Sequence, residues 1–389
     1  MLASHFRTYF EANPNRLHFA AHSHHPWPDA SRAAHLQSWQ DGAVFADRKW
    51  QARVFTEVVP RAQDHVARLL GLSDARQVAF APNTHEFTLR LLSCLPQDRP
   101  IRVLASGHEF HSFRRQALRL RESGRLVMEE VPGPPWDTFT QRFIEAERRG
   151  GWDLVWLSQV FFDTGYVVQD LDAIVAAAPE PAMVAIDGYH AFCALPVDLA
   201  AIHRRAFYLA GGYKYAMSGE GACFLAIPPG CTLRPENTGW FASFETLPSA
   251  PGAKVPYAED AFRFWGSTFD PSGLYRFNAV MEWLQSTGTT IADIHGHAHR
   301  LQARFLDGLD QLSLPALSSH MLVPQWGAPR GNFLSFQLAD AEPVHARITA
   351  RDVTIDRRGD RLRVGFGIYH DEDQVDRLLR TVGQALAPR

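Results

Sequence analysis

Lys214 is the residue whose type and setting most readily do chemistry. It ends the run Ala206-Phe207-Tyr208-Leu209-Ala210-Gly211-Gly212-Tyr213-Lys214-Tyr215, an apolar segment that passes through two glycines into a single cation. Lysine is scarce here, since the only others are Lys49 and Lys254. An amine held off bulk water loses its proton easily and can attack a carbonyl carbon to form a Schiff base. The plainer reading is a strand-end lysine that carries its charge out to solvent on an apolar stem. A second charged strand end lies upstream, in Met183-Val184-Ala185-Ile186-Asp187-Gly188-Tyr189-His190. The interval from 187 to 214 fits one strand, a crossover over 191–205 and the next strand, which would bring both ends to the same sheet edge. A carboxylate there can pair with a pyridinium nitrogen while the lysine holds an aldehyde carbon, as pyridoxal phosphate requires.

The elements that must position these groups read as alternating strands and helices. Strands are expected over 17–21, 77–81, 102–105, 153–160, 183–187, 206–211 and 222–227, with helices over 29–40, 60–71 and 84–95 between or before them. Gly71 is expected to close its helix. Thr84 is read as the N-cap of the next helix, with Glu86 in its first turn, and its free N–H groups could equally hold a phosphate. After long helices near 275–287 and 295–300 the pattern becomes helix, strand (332–338), helix, strand (362–369), helix (373–385). The expected fold class is α/β, a mostly parallel sheet with helices on both faces plus a smaller C-terminal α+β domain. The expected organisation is an N-terminal segment (1–45), a large domain (46–285) and a small domain (286–389).

Asp187-x-x-His190 followed by Gly212-Tyr213-Lys214-Tyr215 resembles aminotransferase class V, within the fold-type I pyridoxal-phosphate enzymes, and among these it is most similar to kynureninase. The resemblance runs over nearly the whole chain. It implies pyridoxal 5'-phosphate bound by Lys214, Asp187, His190 and Tyr213, with Asn83 and Thr84 at the phosphate. Phe110 would stack on the ring, and His111 is the fallback. Trp240, in Asn237-Thr238-Gly239-Trp240-Phe241, would lie near the phosphate or a partner's site. Ser267 or Thr268, in Trp265-Gly266-Ser267-Thr268, would reach the partner's phosphate in a homodimer with shared sites. Arg363 would fork onto the substrate carboxylate, with Arg357 the runner-up, and His24 would sit in a loop over the substrate. Two positions depart from the pattern: Phe161 stands where an asparagine is expected to face the cofactor's phenolic oxygen, with Gln159 able to substitute, and Ala242-Ser243 replaces Gly-His. The implied reaction is hydrolysis of the Cβ–Cγ bond of a kynurenine-type amino acid, with Tyr213 assisting proton transfer. The alternative is transamination, and a non-catalytic relative ranks third. A cysteine desulfurase would need a nucleophilic cysteine in the C-terminal part, and none follows Cys231.

Composition narrows the rest. At 389 residues, 46% hydrophobic and 21% charged, with a formal net charge of -3, the chain has the makeup of a globular protein without the basic balance of a nucleic-acid binder. Cys94, Cys193, Cys223 and Cys231 follow no disulfide or metal spacing, which points to reduced thiols and a cytoplasmic protein. No membrane span or targeting segment is expected. His22, His24 and His25 lack nearby Cys, Asp or Glu at ligand spacing, and His295 and His299 share a helix face without the glutamate of a zinc protease. No metal is therefore expected, and the 295/299 pair reads as a solvated face.

Overall fold

The computed structural model describes residues 2–246 and 254–387. In chain order, β1 (Leu17–His18) precedes β2 (Val78–Ala81), β3 (Ile101–Ser106), β4 (Leu126–Val131), β5 (Leu154–Ser158), β6 (Met183–Asp187), β7 (Ala206–Gly211) and β8 (Cys223–Ala226). The last four are β9 (Phe333–Gln337), β10 (Val353–Thr354), β11 (Asp356–Arg358) and β12 (Arg361–Gly365). Strands β2 to β8 form one sheet in the order β2-β8-β7-β6-β5-β3-β4. All neighbours are parallel except β8, which runs against both β2 and β7.

The strand sequences explain their places. β5 (LVWLS) and β7 (AFYLAG) are buried at every position, as strands covered on both faces by helices must be. β4 (LVMEEV) carries two half-buried glutamates and an exposed valine and takes the edge, where one row of its backbone groups meets water. Since β3, β5, β6 and β7 run parallel, Ser106, Ser158, Asp187 and Gly211 end at one edge. The register of β2 against β8 brings Ala81 beside Cys223, which itself pairs with Gly211. The Thr84–Ser93 helix therefore starts at that same edge. Ligands of open α/β sheets bind there, outside the carboxyl ends of the strands.

A second core lies in the C-terminal part. Leu301, Phe305 and Leu309 of the Ile291–Gln311 helix pack with Leu334 and Phe336 of β9, Leu362 and Val364 of β12, and Val375 and Leu378 of the last helix. β9, β12 and β11 form a small antiparallel sheet. The N-terminal segment is stitched to this core by β1 against β10 and by Gly365 N–H donating to Phe19 O at 2.7 Å. His25 N–H then donates to Tyr213 O at 3.0 Å, so the histidine loop spans from the small sheet to the Lys214 segment.

Several elements differ from expectation. The strand expected over 17–21 shortens to β1, because the chain turns at residues 21–23 toward Tyr213. Asn83, not Thr84, is the N-cap: its side chain accepts from Glu86 N–H at 3.1 Å. Gly71 closes its helix at φ +67, where a Cβ would be strained and would also strike Asp198. The His295/His299 pair is not a free solvated face, since His295 Nδ1 lies 2.8 Å from Asn332 Oδ1 and His299 Nε2 lies 3.0 Å from Arg330 O. Among the described residues no helix is long and apolar enough to cross a membrane.

Candidate active site

β6 and β7 are neighbours in register, Asp187 opposite Leu209, and the chain leaves β7 through Gly211-Gly212 into Tyr213-Lys214. Glycine is needed at both positions. A Cβ on Gly211 would fall 2.4 Å from both Cys223 Sγ and Tyr189 Oη, and one on Gly212 would fall 2.2 Å from Ser218 Oγ. The turn therefore packs tightly enough to hold Lys214 inside the molecule at 4% exposure. Its amine donates to His190 Nε2 at 2.6 Å and stands 4.8 Å from the Tyr189 ring centroid, 5.3 Å from Phe110 and 5.7 Å from Tyr213. Burial pulls the Lys214 amine from 10.5 down to about 7, while the Asp187 carboxylate pulls it back upward. His190 is held well below the ordinary imidazole value, chiefly by burial and then by the Lys214 charge. It is therefore the neutral acceptor of the pair.

Asp187 shares this cleft with Thr84, Phe110, Ser158, His190 and Lys214. Its carboxyl is pushed up by burial and held down by the Tyr189 N–H, which donates to Oδ1 at 2.9 Å, and by Lys214. That N–H is its one hydrogen bond among the described residues, so lone pairs remain for a cation facing it from the cleft. His190 Nδ1 is likewise buried without a partner.

Behind the cleft sits Glu109, 3% exposed. Its Oε2 accepts from Ser158 Oγ at 2.6 Å, and its Oε1 accepts from Ser158 N–H at 3.2 Å and from the Ser106 hydroxyl. It thus ties the ends of β3 and β5 together just where Ser158 meets Asp187 in register. Burial pushes its carboxyl up to about 7. Glu109, Ser158 and Tyr189 are absent from the sequence-based set, in which His22 figures only as a member of the histidine loop. A carboxylate placed next to Phe110 in a strand-end turn was a signal for the first, whereas nothing local marks the others.

The remaining expected residues are dispersed. Phe110 and Thr84 line the Lys214 cleft, and Asn83 is exposed with its side-chain oxygen used by the cap. Trp240 is 44% exposed, and Ser267 and Thr268 lie on the surface. The two hydroxyl residues line a different cleft, with Glu86, Arg90, Asn237 and Gly239. His24 is exposed and stacks on Tyr213, centroids 4.8 Å apart at 21°. His22 and His25 are both buried, His22 lying flat against Phe333 at 4.6 Å. Phe161 is fully buried against His108 and Phe139, which removes it from the cleft. Gln159 Oε1 accepts from Tyr208 Oη at 2.9 Å. Arg363 is buried at 3% exposure and donates to Phe162 O and Asp356 Oδ2. Arg357 is on the outer strand β11, partly exposed and 3.7 Å from Glu342.

A family model for aminotransferase class V matches residues 40–378, and the chain belongs to that family. The cofactor of this class is pyridoxal 5'-phosphate. No curated protein matches the sequence. Among solved structures, the apo cysteine desulfurase of Thermococcus onnurineus NA1 superposes with a TM-score of 0.81 at 17% identity, over 99% of this chain and 98% of that one. The cystine C-S lyase C-DES, in complex with its product cysteine persulfide, gives 0.79 at 17% identity over 97% and 100%. The cysteine desulfurase CsdA of Escherichia coli gives 0.78 at 18% over 99% and 98%. At such identities the likeness defines the fold, the α/β architecture of fold-type I pyridoxal-phosphate enzymes. The kynureninase resemblance has no counterpart among these neighbours.

The site fits the cofactor on its own chemistry. An amine kept partly neutral can take the aldehyde, and a carboxylate with spare lone pairs can face the ring nitrogen. The start of the Thr84–Ser93 helix offers N–H groups for a phosphate.

Proposed function

We propose that this protein transforms amino acids at the Lys214 cleft, and that its reaction is a transamination of the class V type. The observation that carries this reading is the buried Lys214 amine, brought down to about 7, on the strand next to the one that ends in Asp187. In this reading Lys214 would hold the cofactor aldehyde, Asp187 would face the ring nitrogen, Phe110 would pack on the ring and Thr84 with its helix start would take the phosphate. The bound cofactor supplies an electron sink for negative charge at the substrate α-carbon. Arg363 orients the substrate carboxylate, and the aromatic wall of Phe110, Tyr189 and Tyr213 excludes water. The Lys214 amine would also take the substrate α-proton, for which an amine near 7 is well matched at neutral pH. His190, neutral and 2.6 Å away, keeps that amine aimed between uses. Ser267 or Thr268 would serve the partner's phosphate in a homodimer.

A kynureninase-like hydrolysis is the second reading, favoured by Phe110 facing Lys214 within an aromatic cleft. Cysteine desulfuration is disfavoured. No cysteine follows Cys231, Cys193 and Cys223 are buried, and burial pushes their thiols up. The test is to incubate holoenzyme with a panel of L-amino acids and a 2-oxo acid, and separately with kynurenine and 3-hydroxykynurenine. New amino acid and oxo acid pairs are expected. Anthranilate fluorescence without exchange would replace transamination by hydrolysis, and inertness toward every substrate would remove both.

A further inference from the structure

Arg363 faces its cross-strand neighbour Asp356, and the two form a buried ion pair behind Phe162, a residue of the cleft wall. Nη1 donates to Phe162 O, Nη2 to Asp356, and Nε is buried with no partner among the described residues. Asp356 has further company. Arg358 Nη1 is 3.1 Å from its other oxygen, and His22 Nε2 is 3.8 Å from Oδ2, beyond hydrogen-bond range. The His22 ring is fully buried and neither nitrogen has a hydrogen-bond partner among the described residues. It lies against the bare backbone of Gly365, where a Cβ would come within 2.1 Å of Nδ1.

We propose that Asp356 is a positioning residue that sets the substrate range of the site: by occupying Arg363 at rest, it lets the cleft accept primary amines with or without a carboxylate. The proposal rests on the reading of Arg363 as the carboxylate-binding group. A buried guanidinium without an anion would reject any ligand that failed to supply one, because the charge would be stranded in a low-dielectric site. Asp356 removes that penalty, since a bare amine leaves the ion pair closed. An amino acid instead presents its carboxylate to the Nε and Nη2 edge of Arg363, with Nη1 kept on Phe162. Asp356 then retains Arg358 and turns to His22, whose neutral ring still has one N–H to donate. Arg358 stays with Asp356, so Arg363 keeps its charge for the incoming carboxylate.

The test uses holoenzyme and two ligand pairs that differ only in the carboxylate, L-phenylalanine with phenethylamine and L-alanine with ethylamine. Dissociation constants are read from the cofactor absorbance. In the wild type each amine should bind within about tenfold of its amino acid, and Asp356→Asn should widen that ratio by about tenfold or more, the equivalent of one strong charge-assisted contact. Asp356→Glu should restore it. Should Asp356→Asn not fold, His22→Phe keeps the ring stack and is expected to weaken the amino acids several-fold while leaving the amines unmoved. If Arg363→Gln leaves the ratio unchanged, the carboxylate reading of Arg363 is what fails. If Arg363→Gln abolishes the preference while Asp356→Asn does not move it, or if His22→Phe weakens both ligand types equally, the role of Asp356 is overturned. A wild type that responds to neither amine overturns it as well.

Discussion

Burial moves Asp187 and Lys214 each toward its neutral form, and the charge of each restrains the other. Replacing Lys214 with Ala should leave a protein that no longer retains cofactor after borohydride treatment, checked by mass spectrometry of the peptide around 214. Asp187→Asn should still bind cofactor, but turnover should fall by about a hundredfold or more, as when a preorganised electrostatic partner is removed. Equal turnover would place the ring nitrogen elsewhere. Glu109 gives a pH prediction. Its folded-state carboxyl sits at about 7 against an ordinary 4.5, so between those values the folded chain holds more protons than the unfolded one and stability falls as pH rises. Glu109→Gln should flatten that decline, worth about 3 kcal/mol across the window. Chemical denaturation of the apoprotein at pH 4.5 and 7 measures it, and an unchanged slope would show that Glu109 ionises without penalty.

The element that matters most is the Thr84–Ser93 helix, whose start serves both stability and the candidate phosphate site. Asn83 satisfies the Glu86 N–H from outside and leaves the earlier N–H groups of the turn without a partner inside the helix. Asn83→Ala should therefore cost about 1 kcal/mol of stability through the lost cap. Because the Asn83 side chain is committed to that cap, the loss should appear in thermal unfolding of apo and holo protein alike. A loss confined to holoenzyme would mean that Asn83 contacts the cofactor instead. The small sheet acts in a comparable way, since β11 supplies Asp356, β12 supplies Arg363, and Gly365 admits His22.

At the scale of the whole molecule, the Ser267/Thr268 cleft and the Lys214 cleft share no lining residue among the described residues of one chain. A homodimer in which each subunit completes the other's site would account for this separation. Mixing a Lys214→Ala subunit with a Ser267→Ala/Thr268→Ala subunit should restore part of the activity that each lacks alone, because one hybrid site keeps both halves. Subunit exchange demonstrated by native mass spectrometry without any recovery would rule out a shared site.

Much of this was legible in the sequence because it depends on local pattern. The apolar runs of β5, β6 and β7 announce buried parallel strands, and the glycines before Lys214 announce a tight turn after a strand. The pairing of Asp187 with Lys214 follows from the length of the crossover between them, which allows adjacent parallel strands. What the sequence could not supply are partnerships across long separations. Glu109 meets Ser158 because β3 and β5 lie side by side although β4 comes between them in the chain. His22, rather than His24, turns inward because Phe19 and Ala20 pair with Gly365 at the far end of the chain. Arg363 reaches the cleft wall already paired with Asp356, an outcome of antiparallel register in the small sheet. Residue type and local spacing state which groups can do chemistry, whereas which of them share a low-dielectric space, and are shifted by it, depends on how distant segments pack.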